Sequence, residues 1–232
     1  MNDEEWAKWF EGIWATREEK VYPSYFGEKP TQIYNLSEEV FTIGYNMEAY
    51  DPSWLSNIVI EYPPTEKRKS WLYVTSGLSN PVGQEPENIN PADYSGMGFE
   101  MIIETIEKCF WPVQILHRMM AYQILVSTTH IEGNLLDYHV VIPFGEGITE
   151  ESKICSFVIV EPEEERNYPL GFDLASGVVD FFVLFGITQE EADSLPEDGE
   201  SEIVYQFLAQ TEYPITNALR NTIDLGTTDE NK

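Results

Sequence analysis

The stretch from Trp71 to Tyr122 constrains the fold more than any other. It runs WLYVTSGLS, a polar Pro-containing loop, GMGFEMIIET, and then an apolar segment opening at Trp111-Pro112. The β-branched and aromatic run before Ser76-Gly77 predicts a strand that ends in a turn. Phe99 to Ile106, with its central apolar run, predicts a second strand with at least one buried face. Pro112 suits a first helical position, and Ile115, Leu116, Met119, Met120, Ile124 and Leu125 make the helix near 111–127 apolar over a wide arc. Two strands followed by a helix that must be buried commit the chain to a layered α+β domain, with helices packed on a sheet.

The flanking segments extend that pattern. Trp6, Trp9, Phe10, Ile13 and Trp14 follow i, i+3, i+4, i+7, i+8 spacing, predicting a helix over residues 2–17 whose aromatic face packs on its own domain. Residues 20–53 are punctuated by Pro and Gly, with a short strand expected at Val40 to Ile43. SNIVIEYPP and SWLYVTSG flank Thr65 to Lys69 as a hairpin, and its basic tip Lys67, Arg68 and Lys69 is expected to be solvated. Residues 79–96 form a long polar loop, a length that often marks a functional or mobile segment. Further strands are expected at LLDYHVVIPF, at Lys153 to Val160 and at Val178 to Ile187, the last being the most apolar and so central. Thr188 and Glu191 fit a capping box that opens a short helix, and Glu200 to Ala209 gives a last helix with Ile203, Val204, Phe207 and Leu208 inward. The expected organisation is a helix and connector over residues 1–30, a single domain over 31–225 and a frayed tail over 226–232.

Charge narrows the partners. With 41 Asp and Glu against 13 Lys and Arg, the net charge is −28. Nucleic-acid and anionic-lipid binding both need clustered cations, so neither is expected. An acidic surface suits high solubility and a basic protein partner. Between Arg166 and Arg220 there is no Lys or Arg, while acids concentrate at 190–202. The candidate partner-binding residues are therefore Glu190, Glu191, Asp193, Glu197, Asp198, Glu200 and Glu202, together with Glu163, Glu164 and Glu165 in the preceding acidic loop. The acidic, amphipathic start is unlike a secretory signal, no apolar run approaches a membrane span, and the two cysteines suggest no disulfide framework. The expected setting is cytoplasmic.

Templates for chemistry fail one by one. His117, His130 and His139 are isolated in sequence and the two cysteines lie far apart, which is no zinc pattern. His130-Ile131-Glu132 begins a deaminase-like H-x-E, but no P-C-x-x-C follows. Thr75-Ser76-Gly77 lacks the G-x-S-x-G elbow. Gly96-Met97-Gly98 has Met101 where a dinucleotide fingerprint needs its third Gly, and no phosphate loop is present. Glu100 and Glu104 form a carboxylate pair of a kind that arises by chance in so acidic a chain. No catalytic residues, metal ligands or cofactor are assigned.

TSGLS at 75–79, GMGFEMIIET at 96–105, Trp111-Pro112 leading into ILHRMMAYQ, HVVIPF at 139–144, SKICSFVIVEP, VVDFFVLFGITQEEAD at 178–193 and ESEIVYQFL occur in an order that resembles the suppressor-of-fused domain family. The resemblance covers roughly residues 35–212 and is closest to short, bacterial-type members. It implies a single α+β domain, a mixed β-sheet flanked by helices, and no catalytic residues. It also implies a protein-binding role. Animal members sequester a transcription factor. Short bacterial-type members look like immunity proteins that bind and neutralise a cognate toxin of a polymorphic toxin system, and that is the role the resemblance implies. The alternatives are a regulatory or scaffold protein with another partner, or an enzyme with an unfamiliar site near residues 79–96 and His130 or His139.

Overall fold

The computed structural model describes residues 2–84, 86–163, 168–196 and 201–223. Within them, nine strands form one mixed sheet. Its backbone order is β1 (Gln32–Asn35), β2 (Ile58–Tyr62), β3 (Trp71–Ser76), β4 (Tyr94–Thr105), β8 (Gly177–Thr188), β6 (Ile154–Val160) and β5 (Val141–Pro143). Two short strands lie off this path: β7 (Gly171–Leu174) pairs with β8, and β9 (Ile215–Thr216) pairs with β4. The β4–β8 and β4–β9 contacts are parallel; the remaining pairings are antiparallel.

β4 and β8 occupy the centre because their sequences allow burial on both faces. Phe181 to Thr188 is buried without interruption, as is Gly98 to Thr105. Continuous apolar runs of this kind belong to strands covered on two sides. One face carries Ile60, Ile102, Val158, Val183 and Phe185 under the N-terminal helices and the C-terminal helix. The other carries Val59, Tyr73, Met101, Phe157 and Leu184 under α3 (Trp111–Ser127), which buries Leu116, Met120, Ile124 and Leu125 there.

The N-terminal segment is continuous helix from α1 (Asp3–Thr16) through a π-helical turn at Arg17–Val21 into α2 (Tyr22–Phe26). Asn2 opens α1 with a capping box, its Oδ1 accepting from Glu5 N at 2.9 Å. Tyr22 and Phe26 pack on Phe181, with ring centroids 6.3 and 5.5 Å away. The aromatic stripe of α1 behaves differently from expectation. Ile13 is buried and Trp9 partly so, whereas Trp6 and Trp14 stay 36% and 43% exposed. The helix makes its main tertiary contact late, around Ile13 and Arg17, so its first turn projects beyond the core.

Other expectations change for local reasons. Val40 to Ile43 is not a strand: Val40–Gly44 is a π-helical turn that buries Phe41 against Trp54. LLDYHVVIPF yields only the three residues of β5, because His139 takes a left-handed φ of 64° and interrupts the extended chain. At the hairpin tip Lys67 and Lys69 are exposed but Arg68 is buried, donating to Phe26 O at 3.0 Å and Pro63 O at 2.9 Å. In the last helix, α5 (Ser201–Leu208), Val204, Phe207 and Leu208 point inward while Ile203 is exposed.

Candidate functional site

The Ser-Gly turn after β3 forms a buried polar junction. Arg17 enters it from the π-helical turn and is fully buried. Its Nε donates to Ser76 Oγ at 2.8 Å, and its Nη1 donates to Ser79 Oγ and Asn80 Oδ1, both at 2.9 Å. Glu100, also fully buried, accepts from Thr75 Oγ1 at 2.6 Å, Gly77 N at 2.9 Å, Ser79 N at 3.0 Å and Ser79 Oγ at 2.6 Å. Ser76 also donates a short hydrogen bond to Glu18. Burial pushes the Glu18 carboxyl above its ordinary value, against the opposing pull of Ser76 and Arg17. Gly96 closes the junction at φ +58°, where an added Cβ would fall 2.4 Å from Asn80 O. These contacts hold the N-terminal helices to the sheet. They leave no exposed nucleophile or base, and Ser79, Asn80 and Ser95 at the two ends of the long loop are buried as well.

Glu104, the other carboxylate of that strand, is likewise buried, accepting from Tyr168 at 2.6 Å and through a short bond from Ser70. Glu100 and Glu104 each have their own donors and do not form an acid–base pair. His117 is mostly enclosed beside Tyr34 O at 3.4 Å, and burial lowers its pKa. His130 sits against Thr128 and the edge of Trp54. His139 Nε2 lies 3.2 Å from both Glu161 Oε2 and Tyr205 OH. Burial, then the neighbouring Glu161, pushes the Tyr205 phenol well above its usual value, so it keeps its proton. This cluster fastens α5 to the chain entering β5. Among the described residues, no three His, Cys, Asp or Glu side chains converge as metal ligands, and no helix is long and apolar enough to cross a membrane.

The candidate contact surface is the sheet edge at β5. Among the described strands β5 pairs only with β6, through Val141↔Val158, Ile142↔Phe157 and Pro143↔Ser156. Ile159 N donates to Val140 O at 3.1 Å and Phe144 N to Cys155 O at 2.8 Å. Even-numbered residues therefore bond inward, and by alternation the peptide N–H and C=O of Val141 and the C=O of Pro143 face outward. Two clefts flank this edge. On the α3 side, about 350 Å³ is enclosed by Tyr45, Arg118, Tyr122, Leu135, Ile142 and Phe144, with the Arg118 guanidinium 4.8 Å over the Phe144 ring. On the opposite side, about 340 Å³ lies between β5, Ser156 of β6 and α4 (Gln189–Ser194). Leu135 and Val140 at the rim are 55% and 37% exposed. The other end of the sheet, β1, presents Gln32, the half-exposed Ile33 and Asn35, and among the described residues no pair of clefts flanks it as at β5.

The candidate acids distribute unevenly about this edge. Glu190 and Asp193 are exposed on α4, and Asp193 walls the second cleft. Glu202 is exposed on α5 and Glu163 beyond β6. Glu191 is a correction. It is the capping-box acid of α4 and is buried, accepting from Arg220 Nη1 and Nη2 at 2.5 Å each, and from Ile223 N and Thr188 N at 2.8 Å each. Burial alone would raise its pKa; the Arg220 fork and the two N–H donors outweigh that and lower it. Glu191 holds the C-terminal segment and offers nothing to a partner. Glu164, Glu165, Glu197, Asp198 and Glu200 lie outside the described residues, as does the tail over 226–232.

A mixed sheet with an open edge between two clefts suits a domain that binds other proteins. The family model for suppressor of fused protein matches residues 53–221, and the chain belongs to that family. Three solved structures share the fold. The Sufu–Fu complex crystal structure contains a chain 19% identical, with a TM-score of 0.60 and coverage of 91% of each chain. A suppressor-of-fused homologue from Neisseria gonorrhoeae is 16% identical at a TM-score of 0.54, covering 93% of this chain and 97% of that one. Drosophila Suppressor of Fused is 20% identical at a TM-score of 0.52, over 73% of this chain and 44% of that one. No curated protein matches the sequence.

Proposed function

We propose that this protein binds a basic protein partner through the β5 edge, as an immunity protein that neutralises a cognate toxin. The observation that carries the binding role is the outward-facing Val141 peptide between two clefts. A partner segment in extended conformation gains main-chain hydrogen bonds there, and its alternate side chains enter the two clefts. Membership in a family that includes a Sufu–Fu complex supports a protein as the partner. The net charge of −28 supports a basic one, because opposite charge raises the association rate and favours the right partner. The toxin assignment follows from the resemblance to short bacterial-type members. Cytoplasmic residence belongs to the same reading.

The experiment is co-expression with the product of a neighbouring toxin-like reading frame, followed by capture of the complex at low salt. Rescue of growth together with a stable complex supports the proposal. A neighbour that encodes no toxin, or a toxin whose action is unaffected, contradicts the immunity role and returns the protein to a regulatory binder of another partner.

A further inference from the structure

Among the described residues three buried side-chain atoms lack a hydrogen-bond partner: Asn57 Oδ1, Ser156 Oγ and Arg220 Nε. Ser156 is the one that borders the cleft between β5 and α4. It lies opposite Pro143 in the ladder, and directly opposed residues share a face. Val158, two residues on, packs in the core beneath the C-terminal helices, so the hydroxyl points to the α4 side. A buried hydroxyl without a partner is costly, of the order of 1–3 kcal/mol in general, and calls for an explanation.

The rest of the cleft indicates what would satisfy it. Val141, Pro143, Ala192 and Leu195 make apolar walls. Asp193 stands at the rim with its Oδ1 accepting from Gln189 Nε2 at 2.7 Å, which fixes the carboxylate. Among the described residues, no Lys or Arg lines this cleft, and Arg220 is engaged by Glu191. Apolar walls, a fixed carboxylate and an unused hydroxyl match a long side chain with an aliphatic stem and a cationic, multi-donor head.

We infer that the α4-side cleft is a socket for one arginine or lysine side chain of the partner strand docked on β5. The inference rests on the edge-binding reading above and specifies the residue that enters on this face. The stem lies along Val141 and Leu195. The head donates to Asp193 and to Ser156 Oγ.

The test uses the full, isotope-labelled chain and three probes: the N-methylamides of Nα-acetylarginine, Nα-acetyllysine and Nα-acetylnorleucine. Saturable amide shifts at Ser156, Gln189 to Asp193 and Val141 are expected with a cationic probe and not with norleucine. Asp193→Asn should weaken the probe by roughly 1.5- to fivefold, the range for an exposed ion pair. Ser156→Ala should weaken it as well, while leaving the free protein at least as stable as wild type. Norleucine binding as well as arginine and lysine, or cationic shifts scattered over the acidic surface and unchanged by Asp193→Asn, would overturn the socket. The two readings separate cleanly. If the partner needs the β5 edge but is indifferent to Asp193→Asn and Ser156→Ala, the socket falls and edge binding stands. If wild type captures no partner, edge binding falls, and saturable, Asp193-dependent probe binding still establishes a cation socket.

Discussion

Arg17 Nη1 and Glu100 Oε1 lie 3.7 Å apart with both side chains withdrawn from solvent, joining the N-terminal helices to the strand at the centre of the sheet. Neither group stands alone. Arg17 has hydroxyl and amide acceptors, and Glu100 has four donors of its own. Such a pair adds little over an apolar contact of the same shape, but removing one member strands the other. Arg17→Met should therefore destabilise the protein by about 3 kcal/mol in urea unfolding and release α1 and α2, seen as early cleavage near residues 17–27 in limited proteolysis. Unfolding at the wild-type midpoint would show that the junction does not hold the N-terminus.

Glu191 and Arg220 give a pH signature. The folded pKa of Glu191 is below its ordinary 4.5, so its stabilisation is complete above that pH and is lost as pH falls through the folded value. The stability deficit of Glu191→Gln should stay constant from neutral pH down to about 5 and shrink below about 4.5. His117, depressed by burial, acts in a higher window: acidification below its ordinary 6.5 destabilises the fold, and His117→Gln should remove that slope. Chemical denaturation of wild type and both variants across pH 3.5 to 7.5 checks both signs.

Glu190, Asp193 and Glu202 are the described acids exposed on α4 and α5. Reversing all three to Lys should slow partner association and flatten its dependence on salt, and the reversal at Asp193, which faces the partner's cation directly, should also speed dissociation. The fold should be unchanged, since none of the three is buried. Stopped-flow association at low and high ionic strength measures this. Unchanged rates would move the electrostatic contribution to another surface.

Local pattern made some of this structure legible from the chain alone. The helix at Trp111–Ser127, the hairpin of Ile58–Tyr62 and Trp71–Ser76, the central strand at Gly177–Thr188 and the capping box at Thr188 and Glu191 all follow from short-range periodicity or spacing. The short strands Gln32–Asn35, Gly171–Leu174 and Ile215–Thr216 exist only because a neighbour pairs with them. Long-range partnerships were equally hidden. Nothing local marks Arg17 as the partner of Ser76 and Asn80, or turns Glu191 inward to Arg220. Counting acids treated Glu191, a buried capping residue, as surface. The β5 edge was invisible for a related reason. HVVIPF looks like an ordinary strand, and only the sheet order shows that, among the described strands, none pairs with its outer side.

The most direct test of edge binding changes a single backbone donor. Val141→Pro removes the outward N–H while leaving the inward ladder bonds at Val140 and Phe144 in place. The affinity of the purified toxin partner is measured for wild type and variant by calorimetry, with far-ultraviolet circular dichroism confirming the fold. Loss of affinity by at least about tenfold, with the spectrum preserved, is the predicted result. Equal affinity in a folded Val141→Pro protein would contradict binding at the β5 edge.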